Sequence, residues 1–227
     1  MTLQNAVLSI DTCGQSGTVA LVNLENNLEN DATIVTCISQ DELGGRAAAA
    51  QLMPAVDRML REAALDLGAL RSILVVNGPG SFTGIRVGLS TAKGLAHATG
   101  VPIVSISRLA VLASSGNIQQ DSLSLLDAGR NEFYARRGER EWLAIYDEIA
   151  SAAEVGTQLI VAESTLAERL AAWRPALVGP IDACAAVRAA LGRLRSGESE
   201  DLAALDANYL RRSDAELFAR PAPAPAR

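Results

Sequence analysis

Two kinds of hydrophobic periodicity alternate along the chain. In the first third, short apolar runs separated by polar breaks indicate strands, and three of them in succession predict an antiparallel meander. Leu52, Val56, Met59 and Leu60 then recur at spacings of three and four, which is the pattern of an amphipathic helix. The strands predicted in the first half are Ala6–Ile10, Thr18–Leu24, Ala32–Ser39, Ser72–Asn77 and Val101–Ser105.

A glycine-rich turn joins the fourth predicted strand to a second helix. Helical spacing returns at Ser81 and ends before Gly100, which suits a C-terminal cap. Ser107 is placed to cap a further short helix that runs through Leu112. The first half therefore predicts a mixed sheet with covering helices.

The second half echoes the opening of the first. Each half begins with an apolar strand that ends at an aspartate, Asp11 or Asp127, followed by a turn that contains glycine and by another strand. The strands predicted here are Ser122–Leu126, Phe133–Arg137 and Glu141–Tyr146, and the helices are Leu166–Trp173 and Cys184–Leu194. Pro221–Pro225 have the composition of a disordered, polyproline-like tail.

Composition narrows the function classes. Hydrophobic residues make up 49% of the 227 residues but aromatic residues only 4%, so aromatic platforms for single-stranded nucleic acid are not expected. The net charge of −6 disfavours nucleic-acid binding by this chain alone. No apolar run approaches the ~18 residues of a membrane span, and the first ten residues lack the features of a signal peptide. We therefore expect a cytoplasmic protein with no membrane contact.

Few residues are suited to covalent or metal chemistry. Lys93 and His97 are the only lysine and the only histidine, so neither a P-loop nor a cluster of imidazole ligands is expected. Cys13, Cys37 and Cys184 form no close pair in the sequence, which predicts free thiols in a reducing compartment. We predict no catalytic residue, no metal site and no cofactor in the isolated chain.

The glycine-rich turn is a possible anion-binding site. Backbone N–H groups at Gly78, Gly80, Ser81 and Gly84 could surround an anion. The spacing matches neither the dinucleotide fingerprint, nor the Walker A loop, nor the nucleophile elbow. The alternative is that these glycines allow a tight turn and a close helix approach, with no ligand.

Asp11 and Asp127 also have two interpretations. A carboxylate at the end of a strand could hold a metal-bound water beside a phosphate, as in two-lobed phosphotransferases. Alternatively, each accepts hydrogen bonds from the backbone N–H groups of its own turn, and this structural role is favoured.

A stripe of small residues runs along the second predicted helix. Gly84, Gly88, Ala92 and Ala96 are spaced by four, so they share one face and allow another backbone to approach closely. The stripe either packs inside this chain or receives a helix of a partner.

The segment Gly78–Gly94, GPGSFTGIRVGLSTAKG, resembles the TsaB (YeaZ-type) family, the non-catalytic subunit of the bacterial tRNA threonylcarbamoyladenosine synthase. Shorter matches to the same family are Ile10-Asp11-Thr12, Leu52-Met53-Pro54, residues 126–134 and Tyr209-Leu210-Arg211. The chain departs from the family at residues 44–47, Gly-Gly-Arg-Ala, where relatives commonly carry a histidine before Leu-Met-Pro.

The resemblance implies an α/β, actin/Hsp70-like (ASKHA, ribonuclease H-like) fold of two lobes with mixed sheets and covering helices. It implies a non-catalytic scaffold that supports a TsaD-type catalytic subunit during modification of the adenosine beside the anticodon. It also implies that a TsaE-type ATPase joins the two subunits and that ATP, ADP and metal belong to the partner subunits. By the same resemblance, tRNA is expected to bind only to the assembled complex. Alone, the chain is expected to form a homodimer.

The same resemblance gives the small-residue stripe a partner, because helices of the first lobe form the interface with the catalytic subunit. The interface residues expected from it are Leu52, Val56, Met59, Gly84, Gly88, Ala92 and Ala96. Two enzymatic alternatives stay open: an actin-like ATPase or sugar kinase that uses Asp11 and Asp127, and a metallopeptidase-like protein of related fold.

The predicted domain organisation follows the two lobes. Residues 1–107, with a returning segment at 203–218, form the first lobe. Residues 108–202 form a smaller second lobe, and residues 219–227 form the disordered tail.

Overall fold

Two five-stranded mixed sheets make up the fold in a computed structural model, which describes residues 5–26, 32–116 and 121–211. The strands are β1 (Ala6–Asp11), β2 (Gly17–Asn26), β3 (Thr33–Leu43), β4 (Ser72–Val76), β5 (Ile103–Ile106), β6 (Ser122–Gly129), β7 (Glu132–Arg137), β8 (Arg140–Ile145), β9 (Gln158–Val161) and β10 (Ala176–Leu177). The α-helices are α1 (Ala48–Glu62), α2 (Phe82–Thr99), α3 (Arg108–Ser115), α4 (Tyr146–Glu154), α5 (Ser164–Arg169), α6 (Ala183–Ala189) and α7 (Leu191–Ser196). The predicted two-lobed architecture of mixed sheets with covering helices is confirmed.

The first sheet is a buried middle layer with helices on both faces. Its order is β3-β2-β1-β4-β5, with an antiparallel meander of β1 to β3 and parallel pairing from β1 through β5. Alternation of side chains sends Leu8 and Ile10 towards α1 and α2, and Val7 towards α6. Because both faces are covered, β1 and β4 are buried along their whole length, which explains their continuous apolar sequence.

The second sheet repeats the topology of the first. Its order is β10-β9-β6-β7-β8, so that β6 to β10 take the places that β1 to β5 take in the first sheet. One face packs on α4 and α5 around Phe133 and Leu166. The other face packs on α3 through Leu109 and Leu112. The echo between the two halves of the sequence therefore corresponds to a repeated sheet.

The predicted caps agree with the structure, whereas some elements were missed. Ser81 accepts a hydrogen bond from the Gly84 N–H, and Gly100 ends α2 in the left-handed conformation with φ +72°. Ser107 accepts from the Leu109 N–H at 3.2 Å. The predicted strand over Glu141–Tyr146 ends one residue earlier and continues as α4, and the short strands β9 and β10 were not predicted. Their runs of four and two residues carry too little periodic signal.

The last helices return to the first sheet. α6 packs beside β1 and β2, with Val187 in the same core as Val7 and Val104. Sequence analysis assigned α6 and α7 to the second lobe, within residues 108–202. We propose instead that residues 5–26, 32–116 and 183–211 build the first lobe and residues 121–182 the second. The remainder of the predicted returning segment, 212–218, and the predicted tail, 219–227, lie outside the described residues.

Cys37 and Cys184 form a disulfide, so the prediction of three free thiols is wrong. They are 147 residues apart in the chain, but their Cα atoms lie 6.3 Å apart because α6 begins beside β3. Gln40 of the same strand accepts a hydrogen bond from the Cys184 N–H at 3.2 Å. Cys13 is the one free cysteine, and it is buried.

Reduction of this disulfide should lower the free energy of unfolding by about 2 to 5 kcal/mol, because the cross-link restricts a long loop of the unfolded chain. Urea unfolding with and without a phosphine reductant measures the difference. The double variant Cys37→Ser/Cys184→Ser should be insensitive to reductant. Thiol titration of the unfolded, unreduced protein should find one reactive thiol, and a count of three would contradict the disulfide.

Candidate functional site

A cleft of about 770 Å³ lies between the two lobes. Its first-lobe wall comes from the turn after β1, the beginning of α2 and Arg108 of α3. Its second-lobe wall includes Asp127, Tyr134 and Glu163. In open α/β sheets such a crevice at the carboxyl ends of the strands is the usual place for a ligand.

Parallel pairing of β1 and β4 brings the two turns of the first lobe together at this cleft. The Ser81 N–H donates to the Cys13 carbonyl at 2.8 Å. In the opposite direction, the Thr12 hydroxyl donates to the Gly84 carbonyl at 2.6 Å. The beginning of α2 is therefore fastened to the turn that follows β1.

Glycine is required where these two segments touch. A Cβ atom at Gly80 would overlap the Cys13 carbonyl, one at Gly84 the Thr12 carbonyl, and one at Gly88 the Thr12 hydroxyl. The motif that identified the family in the sequence thus forms a contact between backbones. This is the alternative in which the glycines serve a tight turn and a close helix approach.

Some backbone N–H groups of the possible anion-binding turn are already hydrogen-bonded within the chain. The Ser81 N–H is bonded to Cys13, and the Gly84 N–H is bonded to the Ser81 hydroxyl at 3.2 Å. Gly78 lies at φ +113°, and Gly80 is pressed against the preceding turn. Anion binding at this turn stays a prediction, and two of the four N–H groups that it invoked serve the chain itself.

Asp11 is held by its own turn and by an arginine. One carboxylate oxygen accepts from the Cys13 N–H at 2.8 Å, and the other lies 3.7 Å from the Nε of Arg108. The side chain is only 4% exposed. Asp11 therefore has the structural role of a turn carboxylate with a buried counter-charge.

Asp127 repeats this arrangement in the second lobe. It accepts from the Gly129 N–H at 2.8 Å and pairs with Arg169 at 2.9 Å. Unlike Asp11, it lines the cleft and is partly exposed. Among the described residues, no group of three metal-ligating side chains could hold a metal ion.

Cys13 lies in the cleft wall but is not a reactive thiol. Burial raises its pKa well above the ordinary value, and the neighbouring Asp11 carboxylate raises it further. Its Sγ donates to the Val76 carbonyl at 3.2 Å. The thiol is therefore neutral near pH 7 and serves the core.

The small-residue stripe packs inside the chain. Gly88, Ala92 and Ala96 are buried, and Gly84 is half-buried against Thr12. Leu52, Val56 and Met59 of α1 are enclosed in the same core and are at most 1% exposed. These side chains have no surface to offer a partner, so the inward alternative describes this structure.

The opposite sides of α1 and α2 are open. Met53 on α1 is 44% exposed, and Ser90 and Gly94 on α2 are exposed. A Cβ atom at Gly94 would meet nothing within 4 Å. His97 is also exposed, near the end of α2. The outer residues of α1 and α2, unlike the buried stripe, are accessible at the surface.

A cluster that sequence analysis missed lies at the beginning of α2. Phe82 stacks on Tyr209 with ring centroids 4.8 Å apart, and the Arg86 guanidinium lies 3.9 Å from the Phe82 ring centroid. The Arg86 Nε donates to the Tyr209 hydroxyl at 3.0 Å. Tyr209 lies 123 residues from Arg86 in the chain, so only its place in a family motif could have suggested the contact.

The comparisons with known proteins agree with this architecture. Residues 37–171, more than half of the chain, match the family model described as TsaD, tRNA N6-adenosine threonylcarbamoyltransferase. The tRNA threonylcarbamoyladenosine biosynthesis protein TsaB of Haemophilus influenzae is 30% identical over 61% of this chain, and that of Bacillus subtilis is 31% identical over 56%. The chain belongs to the TsaB (YeaZ-type) family. These alignments span a little over half the length of the two relatives, 56% and 52%.

Solved structures support the fold of this TsaB-family chain. A Pseudomonas aeruginosa protein described as uncharacterized, with similarity to peptidase YEAZ, superposes with a TM-score of 0.68 at 25% identity. The match covers 91% of this chain and 100% of that one. The two-lobed fold of mixed sheets with covering helices is therefore shared with that solved structure.

Replacing Gly88 by Leu should destabilise this TsaB-family chain by about 1 to 3 kcal/mol, because the side chain must enter the contact between α2 and Thr12. Gly94→Ala on the same helix is the control. It places a methyl group in open space and should gain up to about 1 kcal/mol from helix propensity. Urea unfolding measures both, and equal stability of the two variants would contradict the internal role of the stripe.

Proposed function

We propose that this chain is a non-catalytic subunit in the threonylcarbamoyl modification of the adenosine beside the anticodon of tRNA. In this role it binds and supports a TsaD-type catalytic subunit, joined by a TsaE-type ATPase. Membership of the TsaB family and the names of the relatives support the process. The observation that carries the scaffold role is that the two aspartates at the strand ends, Asp11 and Asp127, are engaged within the chain.

Both carboxylates that a phosphotransferase of this fold would need are engaged within the chain. Asp11 accepts a hydrogen bond from a backbone N–H of its own turn and lies beside Arg108. Asp127 does the same in its own turn and is paired with Arg169. An arginine beside each carboxylate supplies the positive charge that a metal ion would otherwise bring. This arrangement favours a structural cleft over the actin-like ATPase, sugar kinase and metallopeptidase-like alternatives.

The outer faces of α1 and α2 are the surface we propose for the catalytic partner, and for a second copy of the chain when that partner is absent. Met53, Ser90 and Gly94 are exposed, and the small residues at 90 and 94 would let another helix approach closely. The buried stripe supports this surface from within, because it holds α2 against the sheet.

The remaining partners follow from charge and from the process. A net charge of −6 gives the chain little affinity for phosphates, so tRNA is bound through the assembled complex. ATP, ADP and metal belong to the partner subunits. Among the described residues, no helix is both long and apolar enough for a membrane span. The Cys37–Cys184 disulfide removes the earlier argument for a cytoplasmic location, which rested on free thiols. We place the protein in the cytoplasm because the proposed modification of tRNA takes place there.

A single change on the outer face of α2 tests the interface. Gly94→Arg places a long charged side chain in open space, so the fold should persist while binding of the purified TsaD-type subunit falls at least about tenfold, or 1.4 kcal/mol. Calorimetric titration measures the affinity. Formation of threonylcarbamoyladenosine in the reconstituted complex should fall with it.

Gly192→Arg is the matched control, because Gly192 is also an exposed helical glycine with nothing within 4 Å of a Cβ position, but on α7. It should retain binding and modification. If both variants bind like the natural chain, the α2 surface is wrong and the scaffold role stands. If the natural chain neither binds the subunit nor supports modification, the proposed function is wrong.

The isolated chain should neither bind ATP with micromolar affinity nor hydrolyse it, because Asp11 and Asp127 are already paired. Calorimetry and a phosphate-release assay test this. ATP turnover by the lone chain that disappears in Asp11→Asn would favour the kinase alternative instead.

A further inference from the structure

The end of the described chain contacts both lobes. Residues 200–211, here called the C-terminal strap, leave α7, follow the outer edge of the first sheet and finish beside β7 and β8. No function discussed above uses this segment. Its contacts show which parts of the molecule it connects.

The strap is first anchored on the first lobe. The Glu200 N–H donates to the Ile103 carbonyl at 2.9 Å, and the Glu200 carboxylate accepts from the Ser105 N–H at 2.7 Å. Leu205 is buried in the first-lobe core, and the Lys93 ammonium donates to its carbonyl at 3.0 Å. This half of the strap is therefore held beside β5, the edge strand of the first sheet, at Glu200 and against the core at Leu205.

The strap then crosses the glycine-rich turn. The Asn208 N–H donates to the Asn77 carbonyl at 2.8 Å. A Cβ atom at Gly78 would lie 2.9 Å from the Asn208 carbonyl oxygen, so the passage needs glycine at that position. The strap is therefore fitted to the turn at the lobe boundary.

Beyond this turn the strap binds the second lobe through polar contacts of Asn208 and Arg211, and the Arg211 guanidinium also donates to the Gly129 carbonyl at 3.3 Å. The Asn208 side-chain amide donates to one oxygen of Glu141 on β8 at 2.7 Å, and Arg136 holds the other oxygen at 2.7 Å. Glu141 is only 10% exposed, which strengthens its hydrogen bonds relative to surface contacts. Arg211 pairs with Glu132 on β7.

These contacts complement the apolar connection between the lobes. α3 packs on the second sheet through Leu109 and Leu112, Leu210 of the strap packs against the same cluster, and Ile181 packs against the apolar cores of both lobes. The strap adds polar attachments at Glu132 on β7 and Glu141 on β8. We propose that the C-terminal strap is an interlobe latch, which prevents the second lobe from turning about α3 and holds the cleft at one width.

The latch can be tested by measuring the distance between the lobes. Nitroxide labels are placed by Glu62→Cys on α1 and Glu154→Cys on α4, both exposed positions. Cys13 is buried and the other two natural cysteines are joined, so they do not take label. In the otherwise natural chain, pulsed electron paramagnetic resonance should give one narrow distance distribution.

Asn208→Ala combined with Arg211→Ala should broaden this distribution and shift its mean by more than about 2 Å, the scale of a domain rearrangement. Arg137→Ala is the control, because it removes an ion pair to Asp121 that lies within the second lobe. It should leave the distribution unchanged. Circular dichroism confirms that each variant keeps its secondary structure.

Arg211→Ala alone keeps the test decisive if the double variant unfolds, because it removes a partly exposed ion pair and one hydrogen bond to the Gly129 carbonyl and leaves Asn208 in place. A broadened distribution in the single variant, restored by Arg211→Lys, supports the latch. Distributions that stay identical to that of the natural chain in both variants, or that broaden equally in Arg137→Ala, overturn it.

Discussion

The contact between the beginning of α2 and the turn after β1 is the constraint on which the rest of the first lobe depends. Two backbones meet there, bonded in both directions through Ser81 and Thr12. Such an approach is possible only where side chains are absent, so the glycines at 80, 84 and 88 follow from geometry. Once α2 is fixed, its buried face and α1 close one side of the sheet.

This constraint also explains what the most recognisable motif of the chain does within the fold, which is to join two backbones. A glycine-rich turn before a helix can present N–H groups to an anion, but here the preceding turn takes part of that capacity. The two aspartates likewise accept hydrogen bonds from their own turns, and each has an arginine nearby, with Arg169 at 2.9 Å from Asp127 and Arg108 at 3.7 Å from Asp11. Both carboxylates are therefore engaged within the chain.

Sequence analysis succeeded where local chemistry decides structure. β1 and β4 read as continuous apolar runs because both of their faces are covered, and Ser81, Gly100 and Ser107 act as the caps that their residue types favour. It failed where contacts between segments that are far apart in the sequence decide the structure. Helical spacing identified the stripe from Gly84 to Ala96 as one face, but spacing cannot say whether that face turns inward. Likewise the pairing of Cys37 with Cys184 and the stacking of Phe82 on Tyr209 join segments that only the tertiary fold brings together.

The repeated topology has a consequence for the order in which the molecule loses structure. Both sheets share one strand order and pack helices on each face, but the first has an eleven-residue outer strand, whereas the second ends in a strand of two residues. Exchange of backbone amide protons depends on how readily each cooperative unit opens, and units with fewer buried contacts open more often. The second sheet, which packs against smaller apolar cores, is thus expected to be the weaker foldon, and slow proton exchange should be concentrated in β1 and β4 at the centre of the first sheet.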